Sequence, residues 1–155
     1  MLKLTIRKQT DYLRDRALNW LEGHVGEEFP SPRDEKFGRA TKPFRIMHIE
    51  HDRVIIRFAG SKYDALPLYF LMFERTIEYL LENKGKCVCL GAKLQPPYEL
   101  DSIEGQTWRE PIPSVKYSYK AAPHICDLLE LSGVAEYCYA FNDVTNRTVQ
   151  GMKLF

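Results

Sequence analysis

The 155-residue sequence predicts an α+β fold, and three observations carry that prediction. Apolar residues recur at helical spacing in three stretches. Other stretches alternate as paired strands do, and irregular segments rich in Pro and Gly separate them. The hydrophobic set is 45% and the charged set 28%, the balance of a globular chain rather than of a disordered or membrane-embedded one. The longest apolar run, Leu66 to Phe73, ends at Glu74 and is too short to span a bilayer. The first charge comes at Lys3, before any apolar segment of the signal-peptide kind, so the expectation is a soluble, cytoplasmic protein with no membrane partner.

The elements follow in order. Tyr12, Leu13, Ala17, Trp20 and Leu21 share one helical face and predict a helix over Asp11–Leu21, with Thr10 as N-cap and Gly23 as stop. Gly26 to Pro43 holds three prolines and little periodicity, and reads as a long solvated loop. Its Arg33, Lys36, Arg39 and Lys42 would follow a phosphate backbone if one were there. Neighbouring Glu27, Glu28, Asp34 and Glu35 favour simple neutralisation. Phe44–Glu50 and Arg53–Ala59 read as a hairpin turning at His51 and Asp52, with Val54, Ile56 and Phe58 on one face.

After a loop over Gly60–Leu66, Pro67 opens the most regular helix, which runs to Glu82. Phe70, Phe73, Ile77, Leu80 and Leu81 form its buried stripe, and Glu74, Arg75, Glu78 and Glu82 face water. Lys86–Leu90 reads as a short buried strand. Gln95–Ser118 reads as irregular, with at most a helical turn near Leu100–Glu104. Pro123 suits the first turn of a third helix ending near Leu131, and Ser132-Gly133 stops it. Val134–Phe141 and Thr148–Phe155 then form a hairpin around the polar turn Asn142–Asn146.

Charge sets the first limit on function. Lys plus Arg is 22 and Asp plus Glu is 21, so no field of the whole molecule draws it to nucleic acid. The basic excess lies at the front, with ten basic and seven acidic residues over Met1–Arg45. Four cysteines, Cys87, Cys89, Cys126 and Cys138, are expected to be reduced, buried thiols. The spacing of Cys87 and Cys89 suits neither a zinc knuckle nor an evident disulfide framework.

The phrase Ala122-Pro-His-Ile-Cys-Asp-Leu-Leu-Glu-Leu-Ser-Gly-Val-Ala-Glu-Tyr, followed by strand, turn and strand, resembles the end of a winged-helix (winged helix-turn-helix) DNA-binding domain. Leu128 and Leu129 would anchor the helix, Gly133 would permit the turn and Val134 would pin the first wing strand. The likeness covers residues 66–155, which form a winged-helix-like C-terminal half; residues 1–65 form an N-terminal layer of helix plus β-hairpin, and the two are expected to pack as one unit. The resemblance implies binding to double-stranded DNA, the last helix entering the major groove and the wing touching backbone. Carried over by position, the ligands are Lys116, Tyr117, Tyr119, Lys120 and His124 at the helix entry, and Asn142, Thr145, Asn146 and Arg147 on the wing. Lys and Arg would neutralise phosphates, and Asn would read adenine edges. Against this, Asp127 and Glu130 lie on the polar face of the same helix and would repel phosphate.

Two other readings stand beside it. One is a protein-interaction winged helix, with a protein partner or a second copy of the chain. The other is a small metal-dependent hydrolase or nuclease built on His48, Glu50, His51 and Asp52, with His24, Asp64 or Glu74 as a further ligand. No cofactor, resident metal or catalytic set is assigned, since the chain has no phosphate loop and no nucleophile elbow, and Asp34-Glu35-Lys36 lies in the long loop. The aromatic residues, 12% of the chain, would in part line a pocket for an extruded or modified base, with Tyr117, Tyr119, Tyr137, Tyr139 and Trp108 the candidates.

Overall fold

Two antiparallel sheets with different jobs organise the chain in the computed structural model, which describes residues 2–60 and 65–155. The fold is α+β, as the sequence predicts. The first helix, α1 (Leu2–Glu22), begins well before the expected Asp11. Thr10 is not its cap: the hydroxyl donates to the Ile6 carbonyl at 2.7 Å, the back-bond of a mid-helix threonine. The early turns hid from the periodicity because they are solvated, with Leu4 exposed, whereas Ala17 and Leu21 are fully buried. Gly23 follows the helix end as predicted.

The expected long loop contains regular structure. Strand β1 (Glu28–Phe29) leads into a short helix, α2 (Pro32–Phe37), with Ser31 as N-cap and Gly38 at φ 67° as its left-handed stop. Proline-rich composition concealed it, because Pro32 occupies the first turn, where a missing N–H costs nothing. The predicted hairpin is present as β2 (Phe44–Ile49) and β3 (Arg53–Phe58), with a register shift between Ile46 and His48. Pro67 does not open a helix. It lies in β4 (Leu66–Tyr69), opposite Ile55, on the sheet edge where a proline is tolerated. The first sheet runs β1-β2-β3-β4.

Helix α3 (Phe70–Glu82) buries Met72, Phe73, Thr76, Ile77 and Leu80, a stripe shifted from the expected one, so that Phe70 and Leu81 are only half-buried. Two of its residues expected to face water are engaged instead. Glu74 pairs with Arg14 of α1, and Arg75 donates to the carbonyls of Thr107, Glu110 and Pro111. Strand β5 (Val88–Cys89) precedes α4 (Ile103–Trp108), a helix where irregular chain was expected. Ser102 caps it by accepting from Gly105 N at 3.1 Å, and Gly105 has to be glycine because any Cβ would meet the Glu99 carbonyl.

Helix α5 (Ala122–Leu131) has Ala121 before it and no cap of its own. The cap comes from α4: the fully buried Glu104 carboxylate accepts from Ala121 N and Ala122 N at 3.2 Å each, and from the Trp108 indole at 3.0 Å. Burial raises the pKa of Glu104 against these donors. Strands β6 (Ala135–Asn142) and β7 (Arg147–Leu154) pair along their whole length, and β7 lies central in the order β5-β7-β6.

The cysteine expectation is corrected here. Cys87 and Cys138 form a disulfide, which ties the residue just before β5 to β6 on the far side of the second sheet, while Cys89 and Cys126 are free. Spacing alone could not reveal it, since the partners are 51 residues apart. The bridge passes over β7 at Gly151, where an added Cβ would meet the Cys87 sulfur at 2.7 Å. One apolar cluster, from Ala17 to Met152, runs through both halves of the chain.

Candidate nucleic-acid interface

The first turn of α5 is where sequence reasoning puts the groove-reading surface, and α2 packs there. Arg33 donates to Asp127 through Nε at 3.1 Å and Nη2 at 3.3 Å, and through Nε to Ser31 Oγ at 3.1 Å. The Tyr137 hydroxyl donates to Asp127 at 2.5 Å and also lies 3.0 Å from the Pro123 carbonyl. Side-chain exposure is 9% for Arg33 and 2% for Asp127. Burial pushes the Asp127 carboxyl up, against the opposing pull of Arg33 and the hydroxyl. Asp127 is therefore not a carboxylate facing a groove, and Arg33 is not a loop cation tracking phosphates. They neutralise each other inside the protein.

His124 shares that interior. Its ring meets Phe58 at 5.0 Å, and Nδ1 is buried with no hydrogen-bond partner among the described residues. Burial lowers its pKa to about 4, with Arg33 and Lys120 adding repulsion, so the imidazole is neutral at pH 7. Tyr119 also faces inward: its hydroxyl bonds the Pro67 carbonyl and its ring meets Trp108 edge-on at 5.3 Å. Burial pushes that phenol well above its usual pKa.

The remaining residues of the set stay at the surface. Lys116, Lys120, Asn146 and Arg147 are exposed, and Tyr117 is 83% exposed. Asn142 Oδ1 accepts from Val144 N at 2.9 Å and Thr145 N at 3.2 Å, which fixes the β6–β7 turn and leaves only the amide NH2 for a partner. Asn146 takes the left-handed conformation, φ 56°, that closes the same turn.

Lys120, Asn142 and Thr145 meet in one cleft of about 430 Å³. Arg33 reaches it from α2 and Arg39 from just past the Gly38 stop of that helix, Gln150 from β7 and Ser102 from the entry to α4. Sequence reasoning had placed Arg39 among the phosphate-tracking cations but did not connect it to the wing. No local signal could have done so, because α2 reaches the cleft only through tertiary packing on α5 and β6. The cleft also holds Glu99, Asp101 and the thiol of Cys89. Burial, then Asp101 and Glu99, raise the pKa of that thiol, which keeps it protonated and a poor nucleophile.

The aromatic residues do not gather into one cage. Phe37 lies between Tyr137 and Tyr139 at 5.5 and 5.1 Å, and the Tyr139 hydroxyl donates to the Lys36 carbonyl at 3.1 Å. These rings seat α2 on β6.

The alternative cluster is dispersed. His48, Glu50 and His51 are exposed, His51 at 87% of its side chain, and the Asp52 carboxylate accepts from Arg53 at 2.7 and 3.1 Å, which lowers its pKa. Of the further ligands, Glu74 is taken by Arg14, His24 stacks on Trp20 at 4.0 Å, and Asp64 lies outside the described residues. Among the described residues no group of three His, Cys, Asp or Glu side chains could hold a metal ion. Comparison with family models, with curated proteins and with solved structures finds no match to this chain.

Proposed function

We propose that the chain is a DNA-binding module of the winged-helix kind, and that it meets the phosphate backbone at the cleft beside the β6–β7 hairpin rather than through the outer face of α5. The observation that carries the reading is the convergence of Lys120, Asn142 and Thr145 with Arg39 in a single open cleft. The order α3, β5, α4, α5, β6, β7 with sheet order β5-β7-β6 supports this reading, in which β6–β7 would serve as the wing. Lys120 and Arg39 supply the charges that displace counterions, while the amide of Asn142 and the hydroxyl of Thr145 supply hydrogen bonds to sugar or phosphate. Arg147 extends the same charge along the wing.

Fluorescence anisotropy of a labelled duplex at two salt concentrations tests this. Binding should weaken as salt rises, and Lys120→Glu with Arg39→Glu should abolish it, with Arg147→Glu weakening it in part. All three cations are exposed, so the variants should keep the parent's stability. Salt-independent binding, or binding that survives the double reversal, would overturn the reading. A protein-interaction role has one observation of its own: Tyr139, Phe141 and Val144 are large apolar side chains left exposed on β6 and its turn.

A further inference from the structure

The segments 98–102 and 116–120 contribute to two hollows: Glu99, Asp101, Ser102 and Lys120 line the cleft, and Tyr98 with Lys116, Tyr117 and Ser118 line a second. That hollow is about 280 Å³ and is lined by Tyr98, Trp108, Arg109, Val115, Lys116 and Tyr117, among others. It is smaller than the roughly 300–1,000 Å³ typical of drug-sized ligands, so it suits one small planar group. The floor is fixed. Trp108 is held by Glu104 at its indole nitrogen and by the edge of Tyr119. The rim is fixed as well, because Arg75 ties the carbonyls of Thr107, Glu110 and Pro111 to α3. Tyr117, by contrast, is a lining residue that is 83% exposed.

Two cations, Arg109 and Lys116, stand at this aromatic opening, and Glu110 is the one carboxylate among its lining residues. Lys116 leads along four residues of chain to Lys120 in the neighbouring cleft, a reach of at most ~14 Å. A planar ring site with cations beside it, leading straight into a phosphate-binding cleft, is the combination that holds an unpaired nucleotide: the base stacks and the backbone is neutralised.

We infer that this hollow takes one unpaired base of a DNA strand whose phosphates run past Lys116 to Lys120. The inference rests on the cleft being the backbone site, and adds to it a preference for DNA that carries an unpaired base over fully paired duplex.

Three labelled duplexes distinguish the two claims: one fully paired, one with a single unpaired base, and one with an abasic residue at that position. The unpaired base should bind about tenfold more tightly than the paired duplex, and the abasic residue should lose that gain. Tyr117→Ala should erase the gain and Tyr117→Phe should keep it, with the salt dependence on paired duplex unchanged in both. Equal binding of the unpaired and abasic duplexes, or a gain that survives Tyr117→Ala, overturns the inference and leaves the cleft reading standing. No binding of any duplex at low salt overturns both.

Discussion

The polar groups of α5 point into the protein, whereas those of the β6–β7 turn face water. Asp127 is closed off by Arg33, Ser31 and Tyr137, and His124 by Phe58. Asn146, Arg147 and Thr145 touch little beyond the backbone of their own turn. In the interior an ion pair acts as a bolt, because leaving either partner alone strands a charge away from water. At the surface the same residue types add little to stability and remain available to a partner. Position on a helix therefore does not tell which role a charge has; what packs on top of it does.

The sharpest way to break that contrast is to remove one half of the bolt. Arg33→Ala should destabilise the protein by roughly 3–5 kcal/mol, the usual cost of orphaning a buried carboxylate. Arg39→Ala, a few residues along the same segment but exposed, should change stability by less than about 0.5 kcal/mol. Replacing both partners, Arg33→Met with Asp127→Leu, should restore most of the loss, since no charge is then left buried and Tyr137 keeps the Pro123 carbonyl as acceptor. Urea unfolding of the four proteins measures all of this. Equal losses for Arg33→Ala and Arg39→Ala would show that the pair does not bolt α2 to α5.

The disulfide gives the next effect. Closing 51 residues of chain between Cys87 and Cys138 contributes about 4 kcal/mol in the chain-entropy view. The closed loop contains α4, α5 and the Glu104 cap, and with them the cleft residues from Cys89 to Pro123, while Arg39, Asn142 and Thr145 lie outside it. The pair Cys87→Ser and Cys138→Ser should lose that amount, and wild-type protein unfolded in reductant should match the variant. A reductant effect that persists in the double variant would place the sensitivity elsewhere.

These contrasts also show what the sequence could carry. The hairpins over 44–59 and 134–155 and the helix before Gly133 were legible because each has a local period ended by a turn residue. Helix α4 was not: its cap, Ser102, and its close packing at Gly105 depend on Glu99, and no apolar stripe runs through six residues. Helix α2 hid for the same reason, and with it the cover over α5. Of the candidate site, the exposed Lys120 and Thr145 and the half-buried Asn142 were readable as polar residues near turns, and they do come together. His124 and Tyr119 were misplaced because their burial comes from Phe58 and Trp108, distant in sequence. Arg39 entered the cleft, and Cys87 found Cys138, through contacts that leave no local pattern.

The smallest of these effects is a pH dependence, and it bears on the interior half of the comparison. His124 titrates near 4 when folded and near 6.5 when the chain is unfolded, because burial and the nearby Arg33 and Lys120 disfavour the imidazolium. As the pH falls below about 6.5 the unfolded chain takes up a proton that the folded protein refuses. The contribution of His124 is thus fully present above pH 6.5, is lost progressively down to about pH 4, and amounts to at most about 3 kcal/mol. Glu104 and Asp127, whose pKa values burial raises, act in the opposite sense, since their protonation in acid favours the folded form. The readout is therefore the difference between wild type and His124→Phe, which keeps a ring against Phe58 and removes the titrating group. Between pH 7 and 4.5 the variant should lose less stability than wild type, and the two curves should run parallel above pH 7. Curves that stay parallel throughout would mean that His124 is as solvated as the wing residues, and that Phe58 of β3 does not close over the start of α5 in solution.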